Sequence, residues 1–175
     1  MVYIWRNPNV PEVMVGELTN NFYFGIFQNT KEVDDDVMPI FRFNCKLKKL
    51  RKFCELANNK RVPLVNEKIC NLLAECSNNI QFVKAKVQCE DDSTEDYYVV
   101  NVLSFVDALD KSKSIFDFVP GTKKIMRFKK IKYNEGDYII AREINYGVHL
   151  LVNDSLTEIL KMHGCKGLCL PEECI

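Results

Sequence analysis

Two stretches of this chain repeat one another. Leu64-Val65-Asn66-Glu67 opens the first and Leu151-Val152-Asn153-Asp154 the second. In each, two apolar residues lead to an asparagine, an acidic residue, and then apolar-face positions at i, i+3, i+4 and i+7. These are Ile69, Leu72, Leu73 and Cys76 in the first copy, and Leu156, Ile159, Leu160 and His163 in the second. That spacing lines one face of an amphipathic helix. Asn66 and Asn153 stand where a side-chain oxygen caps the first free backbone N–H groups, and Glu67 and Asp154 oppose the positive end of the helix dipole. Asn78, Asn79 and Gly164 supply left-handed stops. The pattern predicts helices near 67–77 and 154–163, each followed by an apolar segment, at 80–89 and 167–170. A strand–helix–strand unit is thus used twice, and two copies make a duplication, not a solenoid. The expectation is a single domain over residues 1–175 with two pseudo-repeated halves.

Between the copies lies the clearest strand pattern. Val83, Ala85, Val87 and Cys89 alternate with Lys84, Lys86 and Gln88, one face dry and one wet. Residues 90–96 read as an acidic loop, and 97–103 return as a second strand to make a hairpin. Residues 22–27, bounded by Asn20-Asn21 and Gln28-Asn29, read as a buried strand. Asp34-Asp35-Asp36 is a solvated turn. Leu47, Leu50, Phe53 and Cys54, set among Lys46, Lys48, Lys49, Arg51 and Lys52, read as a short basic amphipathic helix. Residues 124–132 and 138–144 are further strands, punctuated by turns at Pro120-Gly121 and 134–137. The expected class is α+β, an antiparallel-rich sheet with two or three helices.

Hydrophobic residues make up 47% of the chain and aromatics 11%, enough for a real core and incompatible with disorder. Lys plus Arg and Asp plus Glu number 24 each, so no global field draws the chain to a nucleic acid or a membrane. Met1 to Pro8 lack the basic and apolar regions of a signal peptide, and no window has the ~18 apolar residues of a membrane span. The expected location is the reducing cytoplasm, where the eight cysteines are thiols, mostly buried, and not disulfides.

Candidate chemistry is sparse. His163, Cys165, Cys169 and Cys174 form the best metal-ligand set, but there is no Cys-x2-Cys and the spacing follows no zinc module. His163 also takes a core-facing position in the repeat. A Cys/His nucleophile pair would have to use His149 or His163, and His149 reads as an imidazole packed on a strand. No Gly-rich phosphate loop or His-Glu-x-x-His is present. No cofactor, no metal and no enzymatic activity are expected.

Residues 97–102 lead into Val106-Asp107-Ala108-Leu109-Asp110, with Ser114 a few residues on. The chain then closes with the helix 156–163, Gly164-Cys165-Lys166-Gly167 and Pro171. Together with Pro63-Leu64-Val65-Asn66 and its helix, this resembles a bacterial family long filed as of unknown function and now interpreted as immunity proteins of polymorphic toxin systems. The resemblance covers roughly the last two-thirds of the chain, and residues 1–60 contribute little to it. It implies neutralisation of a co-encoded toxin by binding, with no catalytic residues to carry across. Asp107, Asp110 and Ser114 match the family's motif, and an aspartate before a turn bonds backbone amides two residues on, a structural role.

The charge blocks ordinarily solvate turns and helix faces. With a toxin as partner, an acidic loop can enter a basic nuclease-like cleft, and complementary charge speeds such association. The candidate partner-binding residues are therefore Glu90, Asp91, Asp92, Glu95 and Asp96. The alternatives are a nucleic-acid binder using basic segments 46–52 and 123–132, which the charge balance counts against, or an enzyme of unrecognised type. Homo-oligomerisation is left open.

Overall fold

A computed structural model describes residues 1–21 and 23–165. Its strands are β1 (Val2–Ile4), β2 (Glu17–Leu18), β3 (Ile40–Arg42), β4 (Glu55–Leu56), β5 (Leu64–Asn66), β6 (Ile80–Gln88), β7 (Ser93–Val102), β8 (Phe105–Val106), β9 (Ile115–Phe118), β10 (Ile125–Lys130), β11 (Ile140–Glu143) and β12 (Leu150–Asn153). The helices are α1 (Leu47–Leu50), α2 (Glu67–Cys76) and α3 (Asp154–Met162). Six strands form one sheet in the order β2-β3-β6-β7-β5-β4, and four form another in the order β1-β12-β11-β8. Among the described residues, strands β9 and β10 pair only with each other. All pairings are antiparallel except β3 with β6 and β11 with β8. The fold is α+β.

The repeat explains how the sheets meet. In both copies the Leu-Val-Asn strand runs straight into its helix, and the asparagine turns the corner. Asn66 Oδ1 accepts the Ile69 N–H at 3.3 Å, and Asn153 Oδ1 accepts the Leu156 N–H at 3.0 Å. The two caps share nearly the same backbone angles, φ −82°, ψ 171° and φ −92°, ψ 174°. Ile69, Leu72 and Leu73 of α2 and Leu156 and Leu160 of α3 then join Val65, Val100, Val102, Ile140 and Val152 in one apolar cluster between the sheets. Successive strand residues point to opposite faces, so Leu64 and Val99 instead enter a second cluster on the far side of the six-stranded sheet, with Phe27, Phe41, Phe43, Val83, Ala85 and Val87. Asn66→Ala and Asn153→Ala are each expected to lower stability by about 0.5–2 kcal/mol, read from urea unfolding midpoints. Loss of stability in neither variant would remove the caps from this account.

Several expectations need correction. Residues 24–28 form a 3-10 turn, Phe24–Gln28, and not a strand, while Phe22 lies outside the described residues. A 3-10 turn has three residues per turn, so Phe24 and Phe27 fall on one face, both buried, with ring centroids 4.8 Å apart. The basic helix shrinks to the single turn α1, which buries Leu47 and Leu50; the chain then turns toward β4. The acidic loop is shorter than its charge suggests. The turn closes with the Cys89 N–H on the Asp92 carbonyl at 2.8 Å, and β7 begins at Ser93 because Thr94 is buried opposite Val87. Asn78 and Asn79 are not left-handed, since Ser77 is already extended and the chain passes directly into β6; Gly164 does take the left-handed stop, at φ +60°. The closing strand of the second copy, near 167–170, lies outside the described residues, as do Gly167 and Pro171.

Candidate functional site

The five acidic residues lie at the tip and first strand residues of the β6–β7 hairpin, all exposed. Four of the carboxylates are partly engaged. Asp91 Oδ1 accepts the Leu47 N–H at the start of α1 at 2.9 Å, and Asp92 Oδ1 accepts the Ser93 N–H at 2.7 Å. Asp96 Oδ2 accepts the Thr94 hydroxyl at 2.6 Å, and Glu95 lies 3.4 Å from the Lys84 ammonium. Glu90 has no side-chain partner among the described residues. The Asp91 bond brings the acidic tip beside the lysines of 46–52, so this end of the molecule carries both signs. The other basic segment, 123–132, has different neighbours: Arg127 and Lys129 both reach Asp117, at 2.6 and 3.1 Å.

The Val-Asp-Ala-Leu-Asp element ties loops together. Asp110 Oδ1 accepts the Ser112 hydroxyl at 2.6 Å and the N–H groups of Ser112 and Lys113 at 3.1 Å, and the Lys113 ammonium sits 3.1 Å from Oδ2. The Ser112 bond, then the Lys113 contacts, hold the Asp110 pKa down at about 2. Ser114 Oγ donates to the Lys132 carbonyl at 3.2 Å and accepts the Lys132 N–H at 2.9 Å. Asp107 Oδ1 accepts from the Asn145 amide at 2.7 Å. These residues brace the segments that carry Tyr133 and Tyr146, a structural role.

Those segments frame a feature the sequence did not suggest. A pocket of about 840 Å³ opens between the exit of β1, the turn before β5, the β10 ribbon and the β11–β12 connection. Arg6, Lys60, Arg61, Arg127 and Arg142 line it, and no carboxylate does among the described residues. Its floor is Arg142, on β11 between β12 and β8 and only 3% exposed. Nη1 donates to the Gly147 carbonyl at 3.1 Å, while Nε and Nη2 have no partner among the described residues. The adjacent carboxylate, Glu143, lies on the opposite face of the strand, fully buried. It is used there by the Ala108 N–H at 2.9 Å and by the Asn145 N–H and amide at 2.9 and 2.6 Å. Burial lowers the Arg142 pKa to about 10, so the guanidinium is still charged at neutral pH.

The walls are aromatic. Phe128 stacks on His149 with centroids 5.9 Å apart and planes 22° apart, and Tyr146 meets His149 edge-on at 4.7 Å. Burial, then the Arg6 charge, pushes the His149 pKa down to about 4, so the ring is neutral at neutral pH. Burial holds the Tyr133 phenol protonated, and its hydroxyl shares a hydrogen bond of 2.6 Å with His149 Nδ1. Behind Trp5, another wall residue, Glu55 accepts the indole N–H at 3.0 Å, and its second oxygen has no partner among the described residues. Burial raises the Glu55 pKa well above the usual carboxyl range, against the smaller opposing effect of the Trp5 bond. A folded pKa above the unfolded value stabilises fully below the unfolded value, and that stabilisation is lost as pH rises through the folded pKa. Wild-type stability is therefore expected to decline from mildly acidic pH upward, by at most about 1.4 kcal/mol per pH unit from this group. Glu55→Gln should flatten that decline in urea titrations between about pH 5 and 8; identical slopes would show that Glu55 ionises normally.

The thiols Cys45, Cys54, Cys70, Cys76, Cys89 and Cys165 are free, though only Cys45 and Cys70 are fully buried and the others are half-buried. Burial pushes Cys70 up to about 12 and Cys89 and Cys165 up to about 11, which disfavours the thiolate a nucleophile needs. His163 is exposed and not core-facing, because α3 ends at Met162 and the ring turns back to within 2.8 Å of the Ile159 carbonyl. Cys169 and Cys174 lie outside the described residues, among which no three His, Cys, Asp or Glu residues group as metal ligands. No helix among the described residues is long and apolar enough to cross a membrane.

This α+β chain, with its duplicated strand–helix unit and braced Val-Asp-Ala-Leu-Asp loop, matches a known family model over residues 21–168. The chain belongs to the immunity protein family Imm11. No curated protein matches the sequence.

Proposed function

We propose that this chain neutralises a co-encoded bacterial toxin by binding it in the cytoplasm of the producing cell, without catalysis of its own. The observation that carries this reading is the immunity-family match across residues 21–168. The raised thiol pKa values and the engaged, neutral His149 support binding over nucleophilic chemistry. The exposed carboxylates of Glu90, Asp91, Asp92, Glu95 and Asp96 serve as an electrostatic contact that steers a basic toxin surface. The lysines beside them limit that contact to a rim role, setting association rate and salt dependence more than residence time.

The test is co-expression with the toxin domain encoded beside this gene. Growth rescue and a stoichiometric complex are expected, and failure against every adjacent toxin domain sinks the proposal. Reversing Glu90, Asp92 and Glu95 to lysine should slow association about tenfold at low salt and leave dissociation nearly unchanged. An unchanged association rate would remove the hairpin from the interface.

A further inference from the structure

We infer that the basic, aromatic-walled pocket over Arg142 is a receptor for an acidic segment of a partner protein, seating one carboxylate on the Arg142 guanidinium. Identifying the partner as a toxin rests on the function proposed above; the chemistry of the site does not.

The first ground is charge placed without compensation. The chain is neutral overall, yet five cations line this one pocket and no carboxylate does among the described residues. Arg127 is committed to Asp117, whereas the exposed side chains of Arg6, Lys60 and Arg61 have no partner among the described residues. The second ground is the geometry of Arg142. The Gly147 carbonyl holds Nη1 and leaves Nε and Nη2 without a partner among the described residues. Those two N–H groups form one edge of the planar guanidinium, the fork that grips a carboxylate through two parallel hydrogen bonds. Both nitrogens are buried in a residue that lines the pocket, so a ligand reaches them only as neighbouring side chains part. A buried cation with unmade hydrogen bonds is expensive to keep unless a function uses it.

The surroundings select a protein over a small anion. Met126 and Val148, 48% and 51% exposed, line the same pocket. The adjoining β9–β10 ribbon exposes Ile115, Phe118 and Val119 as well. Apolar side chains around a polar anchor are the make-up of a protein interface. A cavity of about 840 Å³ also has room for several side chains around the carboxylate.

Trp5 is the chain's single tryptophan and lines this pocket, so its emission reports occupancy locally. The full chain is titrated with poly-L-glutamate, inorganic phosphate and a thymidine oligonucleotide. Poly-L-glutamate is expected to give a saturable, salt-sensitive change in Trp5 emission. Its midpoint should rise about tenfold in Arg6→Glu/Lys60→Glu, whose exposed positions leave folding intact, and likewise in Arg142→Met. No change with poly-L-glutamate, or an equal response in the variants, overturns the inference; tighter binding of phosphate or the oligonucleotide overturns the choice of a protein partner. Against a toxin domain that binds the wild-type chain, Arg6→Glu/Lys60→Glu is expected to bind about a hundredfold more weakly. Equal affinity there overturns this inference and leaves toxin binding standing. Poly-L-glutamate binding through the pocket, with no adjacent toxin neutralised, does the reverse.

Discussion

Glu143→Ala is expected to destabilise the chain by about 3–5 kcal/mol, while Arg142→Met, one residue away, stabilises it by about 1–2 kcal/mol. The two charges are neighbours on β11 and both are buried, so burial alone predicts the same sign for both. Their hydrogen bonds separate them. The Glu143 carboxylate satisfies the Ala108 N–H, the Asn145 N–H and the Asn145 amide, and truncation strands the two backbone donors while the amide keeps its bond to Asp107. Among the described residues the Arg142 guanidinium makes one bond, to the Gly147 carbonyl, and leaves two nitrogens unmatched. Methionine of similar length fills the same space without a desolvated charge. Urea unfolding of both variants at neutral pH is the measurement. A strongly destabilised Arg142→Met would mean that the guanidinium holds the fold together and is not held ready for a ligand. A more stable variant that also binds its partner more weakly would show stability given up for function at this position.

What the sequence made legible was local. The capped helices could be read because Asn66 and Asn153, the acidic residues after them and the apolar spacing all act within about ten residues of chain. The β6–β7 hairpin was legible for the same reason, since alternation at Val83, Ala85 and Val87 needs no distant partner. The 3-10 turn at Phe24–Gln28 was not, because a short apolar run fits a strand and a buried turn equally well. Strand β9 was missed because it pairs with β10 in a two-stranded ribbon, and its exposed Ile115 and Phe118 give no dry-and-wet alternation. The acidic residues are exposed, as their composition implied. The pocket was invisible because its cations come from residues 6, 60–61, 127 and 142, carried by the four-stranded sheet, the β4–β5 connection of the six-stranded sheet and the β9–β10 ribbon. Arg142 and Glu143 fall in the strand expected over 138–144, and nothing local in the sequence marks their side chains as buried.

The duplicated helices raise the question of whether two halves fold as one unit, and truncating Leu73 and Leu156 answers it. Both side chains are fully buried in the cluster between the sheets, so each leucine-to-alanine change is expected to lower stability by about 2–5 kcal/mol. Met162, on the same helix as Leu156 but 83% exposed, is the internal control, and Met162→Ala should fall within about 0.5 kcal/mol of wild type. If α2 and α3 belong to separate halves, the two leucine losses add, and each variant shows a second unfolding transition. We propose instead a single cooperative domain. The cluster draws on β5, β7, β11 and β12 together, so neither helix has a core of its own to pack against. On that reading each variant unfolds in one transition by both fluorescence and circular dichroism, and the double variant departs from additivity by about 0.5–3 kcal/mol. Additive losses with separable transitions would make the halves independent, and the repeat would then mark a boundary between folding units inside a shared core.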